Sequence, residues 1–139
     1  MSARDEYHDI VRTALEKEGW TITHDPLTIP ARGFTNYHID IGAEMMLAAE
    51  RNGEKIAVEI KSFLGTSFAN EFHAALGQFL NYFIALRAYD KDRTLYMAVP
   101  EDIYKSYFFN LHMQEVLEEL DLSLIVFDPT EENIVKWKN

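Results

Sequence analysis

Three side chains in the stretch IDIGAEMMLAAERNGEKIAVEIKSF, residues 39–63, carry chemistry into segments that otherwise read as core. Asp40 sits between Ile39 and Ile41, and Glu59 and Lys61 stand two apart inside the apolar run IAVEIKSF. Residues i and i+2 of a strand project from the same face, so Glu59 and Lys61 share one side. Two carboxylates brought close together repel and raise each other's pKa unless a cation lies between them. Mg²⁺ is held through one or two carboxylates plus waters and phosphate oxygens, and a lysine beside such an ion stabilises charge developing on a phosphate or orients a water. That set of groups would hydrolyse a phosphodiester. The same spacing also fits an ion pair on the solvated face of a sheet, since acid-x-Lys is a common pattern, and on spacing alone both readings stay open.

The elements that must position these groups follow from periodicity. Ser2 caps a first helix, Asp5 and Glu6 suit the positive end of its dipole, Tyr7, Ile10, Val11, Ala14 and Leu15 recur at helical spacing, and Gly19 ends it. WTITHDPLTI predicts a short strand broken near Pro26, and PARGFTN a loop. Residues 37–51 read as extended with a bend at Gly42. Asn52-Gly53 is a hairpin turn, and residues 55–63 are the return strand, with Ile56, Val58 and Ile60 on one face and Ala57, Glu59 and Lys61 on the other. A buried helix spans about 69–89, TLYMAVP is a strand closed by Pro100, residues 101–121 form another helix, LSLIVFD is a strand, and NIVKWK adds a short edge strand. The order is an α/β sandwich with a mixed central sheet, an antiparallel hairpin and parallel pairs joined by right-handed crossovers.

Composition narrows the function. The chain has 139 residues, which predicts one domain over 1–139, and 47% apolar residues, enough for a core without staples. There is no cysteine, which excludes disulfides, thiolate metal sites and cysteine nucleophiles and fits a cytoplasmic location. No leader-like run and no membrane-spanning stretch is recognisable. A net charge of −10 opposes broad electrostatic binding to nucleic acid and suits a protein partner or a metal-bridged contact.

Glu6, Asp40, the Glu59-Ile60-Lys61 tripeptide and Gln78, in this order of elements, resemble the PD-(D/E)XK nuclease superfamily over most of the chain. The resemblance implies a restriction-endonuclease-like three-layer α/β/α sandwich. It also implies Asp40 and Glu59 as ligands of Mg²⁺ or Mn²⁺, the Ile60 carbonyl as a further ligand, Lys61 as the catalytic lysine, and Glu6 and Gln78 as supporting residues. The pattern departs in having Ile39, not proline, before Asp40. More narrowly, IDIGAE, KIAVEIKSFLG and ALGQFLNYF are similar to the cyanobacterial XisH family, named as a controlling factor for excision of the fdxN element, a DNA rearrangement. That similarity implies involvement with DNA, a site-specific recombinase and a XisI-type companion protein. It is compatible with an active endonuclease and with an inactive module that keeps the fold to bind its companion.

Several residues have plainer explanations. Gln78 on an apolar helix needs partners for its amide in any case. Glu6 suits the first helical turn. Glu44 and His38 compete with Asp40 as polar groups of the same segment, and a structural imidazole accounts for His38. His8, His24, His73 and His112 lack metal-ligand spacing, and Arg32 is a cation placed to meet phosphate near the site. No Gly-rich nucleotide loop is present. Aromatics in excess of what one core hides predict an oligomer or partner surface.

Overall fold

The β5 strand, Glu54–Ile60, organises the molecule. In the computed structural model, which describes residues 3–37 and 46–139, its residues from Ile56 onward are buried on both faces. Ile56, Val58 and Ile60 pack on Ile10, Val11 and Leu15 of α1, Ala3–Lys17. Ala57 faces the other way, into a cluster with Phe72, Ala75 and Phe79 of α2, Phe68–Tyr89. The alternation read from the sequence thus sends the two sets to different layers, and a strand covered on both sides has no solvated face.

The main sheet has six strands in the order β1-β4-β5-β6-β7-β8: β1 is Thr21–His24, β4 Met46–Arg51, β6 Arg93–Pro100, β7 Leu124–Asp128 and β8 Asn133–Lys138. Pairings β1/β4, β4/β5 and β7/β8 are antiparallel, and β5/β6 and β6/β7 are parallel. The two parallel steps cross over through α2 and through α3, Glu101–Tyr107, followed by α4, Leu111–Glu119. Buried residues of α2, α3 and α4 share one cluster and α1 lies in the other, giving three α/β/α layers. Asn52 at φ 51° and Gly53 at φ 83° make the β4–β5 turn, a conformation in which both central residues need positive φ.

Three boundaries differ from the sequence reading. The helix expected over 101–121 is two helices, because Asn110 caps a new start by accepting from the Met113 amide at 2.9 Å and Phe108 turns fully into the core. PARGFTN is not only loop: β2, Ile29–Ala31, pairs antiparallel with β3, Thr35–Tyr37, a ladder too short to show alternation. The return strand ends at Ile60, since Phe63 has φ 53° and leaves the ladder.

Candidate metal and phosphate site

Glu59 and Lys61 emerge at the carboxyl end of β5, on the α2 side of the sheet. The Lys61 amide donates to the Ala98 carbonyl of β6 at 2.9 Å, extending the parallel ladder one residue past the strand and fixing the Lys61 backbone. The Lys61 Nζ lies 3.3 Å from Glu59 Oε1 and donates to Gln78 Oε1 at 2.6 Å. Glu59 is completely buried and Lys61 is 8% exposed. A carboxylate so placed would carry a large desolvation cost without an adjacent charge, and the ammonium supplies it. Gln78, read from the sequence as either structural or functional, is brought to the lysine by one turn of α2.

The other expected residues are distributed as follows. Ile60 turns its side chain into the α1 layer. Glu6 belongs to the first turns of α1, on the opposite layer from Lys61, and its side chain lies outside the described part. Asp40, His38 and Glu44 also lie outside the described residues. His8 is occupied structurally, 2.8 Å from Asp25, whose carboxylate also accepts from Arg12 at 2.6 Å. Arg32 is exposed in the β2–β3 turn and lines a separate hollow with Phe34, Asn81 and Ile84.

A cavity of about 180 Å³ opens beside the lysine, lined by Lys61, Phe63, Glu71, Ala74, Ala75 and Gln78. Sequence reading missed Glu71. An acid in the first turn of a helix is explained by the dipole, so nothing about it stood out. The available signal was its spacing: Glu71 and Gln78 are seven apart, two helical turns, with alanines between them on the same side.

A divalent metal is the group the resemblance implies. Among the described residues no three Asp, Glu or His side chains gather as a ligand set, so a closed zinc-type cage is not built from them. A buried Glu59 carboxylate beside one ammonium, with a cavity on the far side of that ammonium walled in part by Glu71 and Gln78, does fit a hard ion held by few protein oxygens and completed by water or phosphate. Among these residues no helix is long and apolar enough to cross a membrane.

Comparison with known proteins agrees with this architecture. The XisH family, described as XisH protein, matches residues 1–135. The crystal structure of an XisH family protein from Nostoc punctiforme PCC 73102 superposes with a TM-score of 0.89 at 46% identity, covering 97% of this chain and 100% of that one. A fdxN element excision controlling factor protein from Anabaena variabilis superposes with a TM-score of 0.89 at 47% identity, covering 97% of this chain and 99% of that one. Among proteins of curated function none matches. With the family matched along nearly the whole sequence and its solved structures sharing the fold, the chain belongs to the XisH family.

Proposed function

We propose that the protein is a controlling factor for site-specific DNA excision that contributes divalent-metal-dependent phosphodiester chemistry, acting as an oligomer with a XisI-type companion and a recombinase. The observation that carries this reading is the Glu59–Lys61–Gln78 constellation: a fully buried carboxylate, an ammonium 3.3 Å away and a glutamine oxygen 2.6 Å from that ammonium, beside a cavity. The family match, and the likeness to an Anabaena protein named as a fdxN element excision controlling factor, support the DNA setting.

In this reading Glu59, Asp40 and the Ile60 carbonyl hold Mg²⁺ or Mn²⁺. When bound, the ion supplies Lewis-acid polarisation of a phosphoryl oxygen and eases loss of a proton from water. Lys61 places a positive charge where negative charge grows on the phosphate, in a site largely closed to water, where such a charge counts for more than in bulk solvent. Gln78 is a positioning residue: by accepting from Nζ it restricts the ammonium to one direction. The net charge of −10 then leaves the metal and Lys61 as the local attraction for a polyanion.

The rival reading is an inactive protein-binding module. It is favoured by that charge and by exposed apolar side chains, among them Phe34 at 78%, Leu111 at 77% and Phe109 at 59% exposure. Incubation of supercoiled, linear and branched DNA with Mg²⁺ or Mn²⁺, with and without the companion, separates the two. Hydrolysis that depends on metal and is lost in Lys61→Ala and Asp40→Ala supports the enzyme. Its absence in every arm, with tight companion binding and DNA contact insensitive to salt, supports the module.

A further inference from the structure

The loop between β5 and α2 is shaped around Glu71. Phe63 takes φ 53°, an uncommon conformation for a bulky residue that persists only where surroundings enforce it. Here its ring is held among Phe68, Phe72 and Phe108 at centroid distances of 5.1–6.5 Å. Two residues later the backbone passes so close to Glu71 that a Cβ on Gly65 would sit 2.7 Å from Oε2 and 3.0 Å from Oε1. Gly65 does not have positive φ, and its lack of a Cβ leaves room for the Glu71 carboxylate in its present position. Ser67 then caps α2, accepting from the Asn70 amide at 3.3 Å.

One oxygen of this carboxylate is incompletely served. Glu71 Oε2 is buried and has no hydrogen-bond partner among the described residues. A buried carboxylate oxygen without a donor requires a water, a proton or a cation. The helix dipole accounts for an acid in this turn, but not for a glycine that admits its carboxylate, nor for its place in the wall of the Lys61 cavity. A water takes up roughly 30 Å³ of liquid, so a cavity of about 180 Å³ has room for an ion with several of its waters. Glu71 brings a carboxylate to the wall of this cavity beside Lys61 and Gln78, the kind of oxygen ligand taken by a hard cation that needs few protein oxygens.

We propose that Glu71 is a further member of the site and supplies a carboxylate, directly or through a bound water, to a divalent cation of the Mg²⁺ or Mn²⁺ class in the cavity beside Lys61. The proposal rests on the metal-dependent reading of Glu59. Gly65 is its positioning residue, because a methyl there pushes the carboxylate aside without altering any charge.

The test is Mn²⁺ binding to the full chain, by electron paramagnetic resonance or calorimetry, together with metal-free melting. Wild type is compared with Glu59→Gln, Glu71→Gln and Gly65→Ala. The expected result is saturable binding in wild type, a Kd raised at least tenfold in Glu59→Gln and Glu71→Gln and several-fold in Gly65→Ala, and metal-free melting of Glu71→Gln equal to or above wild type. Binding weakened by Glu59→Gln but unchanged by Glu71→Gln overturns the role of Glu71 and leaves the metal reading of Glu59 standing. No binding in wild type overturns both. Should Glu71→Gln fail to fold, a folded Gly65→Ala with wild-type affinity overturns the proposal.

Discussion

Replacing Lys61 by methionine keeps the apolar stem and removes the charge beside Glu59. At 3.3 Å, an effective dielectric of 20 gives a gross attraction of about 5 kcal/mol. Solvent screens this pair little, since Glu59 is completely buried and the Lys61 side chain is 10% exposed. Breaking a buried pair from one side typically costs about 3–5 kcal/mol, because the remaining charge is left uncompensated. Replacing both partners with uncharged groups restores much of the loss. Lys61→Met is therefore expected to destabilise by about 3–5 kcal/mol, and Glu59→Gln by less, because Lys61 keeps the Gln78 oxygen as a partner. The double variant is expected to be more stable than Lys61→Met. For a chain of 139 residues the first loss lowers Tm by roughly 10–17 °C. Urea unfolding of the four proteins at one pH closes the cycle. A loss below about 1 kcal/mol in Lys61→Met, typical of exposed pairs, or no recovery in the double variant, would refute a buried, coupled pair.

Gln78→Ala removes a charge-assisted acceptor from Lys61. It is expected to cost about 1.5 kcal/mol, the low end for such a bond because Gln78 is only half-buried and water can substitute, and to lower any metal-dependent cleavage more than companion binding; equal effects on both would argue against a positioning role. Asn110→Ala should cost about 1 kcal/mol and speed amide exchange in the first turn of α4, where Met113 loses its cap; unchanged exchange would contradict the assignment. Asp90 is held below the ordinary carboxylate range, first by its hydrogen bond from Lys55 and also by the Lys55 and Arg93 charges, with burial opposing. A depressed folded pKa stabilises above the unfolded value and loses that contribution as pH falls through the folded one. Wild type should thus exceed Asp90→Asn in Tm near neutrality, with the gap closing below about pH 4; a gap that widens on acidification would contradict this.

What the sequence made legible was whatever rests on local periodicity. Ile56, Val58 and Ile60 separated from Ala57, Glu59 and Lys61 because a strand alternates, and each set went to its own layer. Asn52-Gly53 announced its turn because few residues accept positive φ. The break at Asn110 was hidden: apolar positions run through it at helical spacing, and only the burial of Phe108 makes the corner favourable. The site divides along the same line. Glu59 and Lys61 are near in sequence and their shared face could be read, whereas the contact with Gln78, 17 residues on, depends on where α2 settles after its crossover. Gln78 was named through resemblance, and Glu71 was not named at all, because the feature that marks it is a close approach to Gly65, a distance between elements.

The central claim is that Glu59 and Lys61 form a metal-assisted phosphodiester site. Its most direct test is a crystal of the wild-type protein soaked in Mn²⁺, with anomalous scattering collected on either side of the manganese edge. An anomalous peak about 2.0–2.3 Å from a Glu59 carboxylate oxygen, near the usual range for a hard divalent ion, absent in Glu59→Gln crystals, is the predicted result. No peak near Glu59 at saturating Mn²⁺, with the Lys61–Glu59 pair unchanged, would contradict the claim.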